Sequence, residues 1–329
     1  MTAKKRIVFV VNPISGTQGK KAILKWIDER IDRALFDYSI VKTQYAGHAV
    51  EIAAAAAKDN VDIVVAIGGD GTINEIGRSL VHTNTALGII PCGSGNGLAR
   101  HLHIPMDAKA AIDLLNTGEC TCVDYGKIND MPFFCTCGVG FDAFVSLKFA
   151  DSGKRGLLTY LENTLHESLT YEPETYEIEN EEGTIKYKAF LIACANASQY
   201  GNNAFIAPDA SMVDGMLDVT AIEEFPAAEA GMIAYRLFSG DLTESKYTRQ
   251  LRGRQITIRT DKSVLYHIDG DAMKETRELT IEAVPRSLSI CSGRPDDREK
   301  TIFDFINTMR DNAQKLGAGV ADLFTPKQR

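Results

Sequence analysis

The stretch Asp62–Glu75, "DIVVAIGGDGTINE", decides how the chain is to be read. An unbroken apolar run ends in Gly68 and Gly69, and Asp70 and Gly71 follow before a helical pattern begins. An apolar run without polar alternation reads as a strand buried on both faces, the habit of a parallel sheet covered by helices. Bare main chain at the end of such a strand brings amides within reach of a ligand, because glycine has no Cβ to hold other groups away.

The flanking residues keep this rhythm. Strand-like "RIVFVV", "YSIVKT" and "LGIIP" alternate with helices expected from Lys20 to Ala34, His48 to Lys58 and Thr72 to Val81, followed by "GLARHL" and "DAKAAIDLLN". Alternation of this kind predicts a three-layer α/β domain with a parallel sheet, assigned to residues 1–125. After Gly118 the helices thin out. Strand-like "CVDYGKI", "FFCTCGV", "GMLDVTAI", "RQITIRT" and "ELTIEAV" are separated by turns, and "ENEEGT" reads as a hairpin loop. That predicts an all-β domain over residues 126–295, an antiparallel β-sandwich with helices inserted near Leu157 to Leu169 and Ala227 to Phe238. Ile302, Phe305, Ile306 and Met309 then form a helical stripe within a segment, 296–325, expected to pack back on the first domain.

A chain of 329 residues exceeds what one core usually holds, which supports two domains. A hydrophobic fraction of 44% with 24% charged residues argues against long disorder, and a net charge of −8 excludes nucleic acid as an expected partner. No apolar run approaches the roughly 18 to 20 residues needed to span a bilayer, and the basic start "MTAKKRIVFVV" lacks a cleavage site. The expectation is therefore a cytoplasmic protein without a transmembrane segment. Seven cysteines, an odd number, point to reduced thiols. The pairs Cys120/Cys122 and Cys135/Cys137 are spaced for one face of a strand rather than for structural zinc.

In a doubly wound sheet, ligands bind beyond the carboxyl ends of the strands. Three loops fall there: "NPISGTQGK", "GGDGTINE" and "PCGSGNG". Together they predict an anion site built from amides. "SGTQGKK" lacks the spacing of a Walker A loop, and "GVGFDA" fits the dinucleotide fingerprint only formally, because it lies after the alternating units have ended.

Five blocks in order, "NPISG", "GGDGTINE", "PCGSGNGLAR", "GVGFDA" and "HIDGD", resemble the signature blocks of the diacylglycerol kinase and sphingosine kinase family of soluble lipid kinases. The resemblance implies ATP and magnesium in a cleft between an α/β half and a β-sandwich, and transfer of the γ-phosphate to a lipid hydroxyl. It implies a peripheral enzyme that takes its acceptor from a membrane surface, and leaves room for a homodimer. "GGDGT" alone is shared with NAD kinases, which are one rival; a catalytically silent lipid-binding relative is the other.

By the same resemblance Asn12, Ser15 and Gly16 form the first nucleotide turn, with plain turn chemistry as the alternative. Gly68, Gly69 and Gly71 give amide access to phosphates, with Thr72, Asn74 and Glu75 completing the motif. Asp70 is a catalytic or metal-linked carboxylate, or else a helix cap. Gly93, Ser94, Gly95 and Asn96 present amides at a helix start. Gly97 stands where diacylglycerol kinases carry Asp, which leaves Asp70 and Asp124 as members of any metal network and matches the sphingosine kinase version of the block. Asp269 and Asp271 are the candidates for the general base. Asp142 takes the position that meets the acceptor head group, or caps a helix. Lys154 and Arg155 reach ATP phosphates or form an exposed turn, and Asp214 belongs to a loop like one that binds a structural cation, or to an Asp-Gly turn.

Overall fold

The computed structural model describes residues 3–13, 19–152 and 171–292, with the side chains of 148–152 left aside. Four parallel strands, β1 (Lys5–Val11), β2 (Phe36–Lys42), β3 (Ile63–Gly68) and β4 (Ala86–Pro91), lie in the order β4-β3-β1-β2. Every residue of β3 and β4 is buried, the burial that their uninterrupted apolar sequence requires. Helices α1 (Lys20–Arg30), α2 (His48–Lys58), α3 (Asp70–Leu80), α4 (Gly97–His101) and α5 (Ala108–Leu115) connect and cover them. On α3, Ile73, Ile76, Gly77 and Leu80 are buried, a stripe at helical spacing that seats the helix on the sheet.

The antiparallel half comprises β5 (Thr121–Ile128), β6 (Met131–Phe133), β7 (Thr136–Gly140), β8 (Glu174–Asn180), β9 (Gly183–Ala195), β10 (Leu217–Glu223), β11 (Thr248–Gly253), β12 (Gln255–Val264), β13 (Tyr266–Ile268), β14 (Asp271–Ala272) and β15 (Thr276–Ile290). It carries α6 (Phe141–Ser152) and α7 (Ala230–Ser239). β9 shows why strand periodicity suits a sandwich. Ile192 and Cys194 enter the core between the sheets, whereas Leu191, Ala193 and Ala195 join a second core beneath α6 and α7. The expected hairpin at "ENEEGT" forms between β8 and β9, with Asn180 opposite Gly183.

The two halves share strands. β5 contributes Val123 and Tyr125 to the α/β core and Ile128 to the sandwich core. β15 pairs with β5 and β12 and ends with Ile290 beside Leu87 of β4.

One expectation is corrected here. Cys120 and Cys291 form a disulfide rather than remaining reduced. The register Thr121 opposite Ile290 brings the next residues outward, Cys120 and Cys291, face to face with Cα atoms 4.0 Å apart. An odd cysteine count cannot reveal a pairing set by strands so far apart in sequence. Cys92, Cys122, Cys135, Cys137 and Cys194 are free thiols, and Cys137 lies opposite Cys194 across β7 and β9, as core packing of "CTC" requires. The expected helices at 157–169 and 296–325 lie outside the described residues. Among the described residues no helix is long and apolar enough to cross a membrane.

Candidate active site at the glycine loops

The loops after β1, β3 and β4 converge. The Asn12 amide N–H donates to Ile67 O at 3.3 Å and its side-chain amide to Thr72 Oγ1 at 3.3 Å, while Cys92 N donates to Gly68 O at 2.8 Å. Gly69 and Gly93 pack main chain on main chain: a Cβ on Gly93 would stand 2.7 Å from the Gly69 Cα. Thr72 lies over Gly68 so closely that a Cβ there would come within 2.5 Å of its side chain. Gly71 and Ser94 face solvent, and nothing lies within 4 Å of a Cβ built on Gly71. The glycines therefore serve two needs. Gly68 and Gly93 allow the loops to touch, and Gly71 leaves the start of α3 open.

Asp70 does not point freely into this opening. Its Oδ2 accepts the Asn96 amide at 2.8 Å and its Oδ1 the Gly97 amide at 2.8 Å. Burial pushes this carboxyl up, and the two amides and Arg100 draw it back. Asn96 holds a left-handed φ of 52° and clasps Gly93 through both its side-chain atoms, the carbonyl accepting from Gly93 N and the amide donating to Gly93 O, each at 2.9 Å. A Cβ on Gly97 would meet Gly201 N at 3.3 Å and the Cys135 Sγ at 3.4 Å, so a carboxylate side chain would be crowded there. Glu75 turns away and accepts the Gly47 amide at 3.3 Å.

From the sandwich side comes the hairpin of β13 and β14. Ile268 lies opposite Asp271, and the two-residue turn between them has φ of 48° at Asp269 and 88° at Gly270, the conformation for which Asp-Gly is suited. Asp269 is fully engaged. It accepts the amides of Phe134 at 2.9 Å, Cys135 at 2.7 Å and Thr136 at 3.1 Å, together with the side-chain amide of Asn74. Asp271 is solvent-exposed, and its carboxylate makes no hydrogen bond or ion pair among the described residues. Although the residue as a whole is exposed, its carboxyl is partly enclosed, and that partial burial pushes it above the usual range against the pull of Arg78 and His267.

The three carboxylates expected at metals do not gather. Asp124, 0% exposed, accepts the amides of Gly215 and Arg286 at 2.7 Å each, on the side of a cavity of about 560 Å³ that Asp214 also lines. Asp214 accepts the Met216 amide at 3.0 Å and pairs with Arg252 at 2.5 Å. Among the described residues no group of three or more His, Cys, Asp or Glu could hold a metal ion, so these residues do not make a protein-only magnesium cage. Asp142, at the start of α6, accepts from Tyr200 and from His267 as well as from the Ala143 amide. Ser15, Gly16, Lys154 and Arg155 lie outside the described residues.

Three elements escape a reading of the sequence. The Lys20 ammonium, at the start of α1, is buried without an oxygen acceptor among the described residues. It stands beside Cys92, whose thiol burial pushes up and this ammonium draws back. Arg100 donates to Gly95 O at 3.0 Å and to Asn203 Oδ1 at 3.3 Å. The loop Asn196–Ala204 closes on "GSGNG", with Asn202 N donating to Gly95 O at 3.1 Å. Its buried Asn196, Ser198, Gln199 and Asn203 were the available signal, since a polar run inside a sandwich needs partners.

Residues 6–128 match the family model of the diacylglycerol kinase catalytic domain, and residues 135–292 match that of the YegS C-terminal NAD kinase beta sandwich-like domain. A diacylglycerol kinase of Staphylococcus saprophyticus is 27% identical over 272 residues, 82% of this chain and 89% of its own. A diacylglycerol kinase of Bacillus subtilis is 27% identical over 272 residues, 81% of this chain and 90% of its own. The crystal structure of a diacylglycerol kinase from Bacillus anthracis matches with a TM-score of 0.69 at 19% identity, covering 90% of this chain and 99% of that one. An NAD kinase from Archaeoglobus fulgidus in complex with ATP matches with a TM-score of 0.51 at 14% identity, covering 92% of this chain and 98% of that one. At such identities the two structures bear on the fold alone. The two family matches follow one another along most of the chain, and together with the named relatives they support a lipid kinase whose N-terminal part is similar to the diacylglycerol kinase catalytic domain.

Proposed function

We propose that this lipid kinase transfers the γ-phosphoryl group of ATP to the free hydroxyl of a diacylglycerol. The observation that carries the reading is the buried Lys20 ammonium, which has no anionic partner among the described residues, set beside glycine loops whose open end is the start of α3. An uncompensated buried cation is costly, and a triphosphate supplies the missing charge. The amides at Gly69 and Gly71 and the hydroxyl of Ser94 complete the cradle, where a helix start favours anions. Magnesium arrives on the ATP phosphates, its usual carrier, and neutralises their charge.

Asp271 is the general base and Asp269 its anchor, because a base needs an unoccupied carboxylate oxygen within reach of the hydroxyl. The acceptor oxygen forms its bond to the γ-phosphorus as the bond to the β–γ bridging oxygen breaks. Its proton passes to Asp271, and ADP leaves. Asp70 holds the β3 and β4 loops in one arrangement, a contribution by positioning, which dominates phosphoryl transfer. The acceptor is collected at a membrane surface; near the start of α6 the half-buried Phe144 and Tyr171 pack on the buried Phe141 and Phe190.

The test is radiolabelled ATP offered with vesicles containing diacylglycerol, sphingosine or ceramide, and separately with NAD. Label in phosphatidic acid is expected. Label on NAD alone, or no label on any acceptor, overturns the reading.

A further inference from the structure

His267 is a buried titratable side chain that the phosphoryl transfer described above leaves without a task. Its ring is 1% exposed. Nε2 lies 3.0 Å from Asp142 Oδ2, and Nδ1 accepts the Gly270 amide at 3.4 Å. With Nδ1 accepting, the neutral ring carries its proton on Nε2 and donates it to Asp142. The same Asp142 oxygen accepts the Tyr200 hydroxyl at 2.9 Å, and Oδ1 accepts the Ala143 amide at 2.8 Å. A chain of hydrogen bonds thus runs from Tyr200 through Asp142 and His267 to Gly270, the residue before Asp271.

The hairpin that carries Asp271 is consequently held at two shoulders. Asp269 fixes one, through three main-chain amides and Asn74. His267 fixes the other. Gly270 completes the turn, and Asp271 opens a strand of two residues, Asp271–Ala272, whose cross-strand partners are Ile268 and His267. The Asp271 carboxylate has no hydrogen bond among the described residues, so its height above the cleft is set by how its main chain is held.

We propose that His267 is a positioning residue for Asp271, acting through Gly270 and kept in place by Asp142 and Tyr200. This rests on the assignment of Asp271 as the base. Asp142 is then occupied within the protein: its carboxylate orients an imidazole, the task that carboxylates commonly perform beside histidine. The ionisable groups that face the relay are Asp142 on α6, Tyr200, Tyr171 and Tyr176 beside Asp142, Cys137 on β7, Asp269 and Asp271 on the hairpin, and Arg78 on α3.

The test compares His267→Leu, His267→Gln, Tyr200→Phe, Asp271→Asn and the double variant His267→Leu/Asp271→Asn in the full chain, using diacylglycerol vesicles and ATP. Thermal unfolding is measured in parallel. Loss of a positioning contact near the chemistry is expected to lower kcat of His267→Leu by about 10- to 100-fold with KM for ATP unchanged. His267→Gln, which keeps an N–H for Asp142, recovers most of that loss. Tyr200→Phe loses several-fold, and the acid limb of its pH profile moves. The double variant is no slower than Asp271→Asn alone. Wild-type kcat and pH profile in His267→Leu, or a loss that multiplies with that of Asp271→Asn, overturns the relay while leaving the base intact. Full turnover by Asp271→Asn overturns the base, and the relay with it. If His267→Leu does not fold, His267→Gln and Tyr200→Phe carry the test, and wild-type kinetics in both overturns the proposal.

Discussion

Asp70 and Gly97 are joined by a hydrogen bond of 2.8 Å in which the carboxylate accepts a main-chain amide, with the neighbouring Asn96 amide on the other oxygen. The acid of the "GGDGT" block thus ties the β3 loop to the β4 loop. Its position at the N-terminal end of α3 adds a favourable interaction with the helix dipole.

Asp70→Asn is therefore expected to do more than alter a charge at the cleft. One oxygen becomes an NH2 facing a main-chain N–H, a donor against a donor. Urea unfolding should show a loss of about 1 to 3 kcal/mol, the usual penalty for an unmade buried bond, together with a raised KM for ATP. A variant as stable as wild type with normal KM would contradict the role of Asp70 as a tie.

Lys20→Met separates binding from stability. It removes a buried ammonium that lacks an anionic partner among the described residues, so the nucleotide-free protein should melt at the same temperature or higher. Its KM for ATP should rise by about 10-fold or more, the loss of one charge-assisted contact to phosphate. Initial rates and melting curves, with and without nucleotide, read both effects.

Asp271 sets a pH dependence of definite sign. Burial raises its carboxyl in the folded protein, so between the ordinary carboxylate value and the raised one the native state binds more protons than the unfolded state. Stability contributed by this group is present below that window and is lost as pH rises through it. Activity moves the other way, because a base works only when deprotonated. The acid limb of kcat/KM should lie above about pH 4, where free Asp titrates, and Asp271→Asn should remove both dependences.

Cys120–Cys291 closes a loop with a sequence separation of 171 residues. Reduction, or Cys120→Ser, should destabilise the protein by roughly 2 to 4 kcal/mol, the range typical of such crosslinks. The cysteines flank β5 and β15 away from the glycine loops, so the initial rate at moderate temperature should stay near that of the oxidised enzyme. Denaturant curves with and without reductant make the comparison.

The α/β half was readable because its signals are local. Apolar runs such as Ile63–Gly68 are strands whatever surrounds them, and Ile73, Ile76 and Leu80 mark one face of α3 within a single element. The "HIDGD" turn was readable for the same reason: Asp-Gly favours the two left-handed conformations the hairpin needs. The contacts that distinguish the acids were not. Asp269 and Asp271 are two residues apart and chemically alike, yet one receives four hydrogen-bond donors and the other none. Three of those donors lie on Phe134, Cys135 and Thr136 and the fourth on Asn74, so only the docking of β13 beside β7 and α3 tells the two apart. The same holds for Asp124, which joins the Gly215 and Arg286 amides rather than Asp70, for the Cys120–Cys291 pairing, and for Lys20. Residue order along the chain specifies elements through periodicity and turn chemistry, which act over a few residues. Which polar groups meet is a matter of distance in space, and a carboxylate's role follows from the donors that reach it.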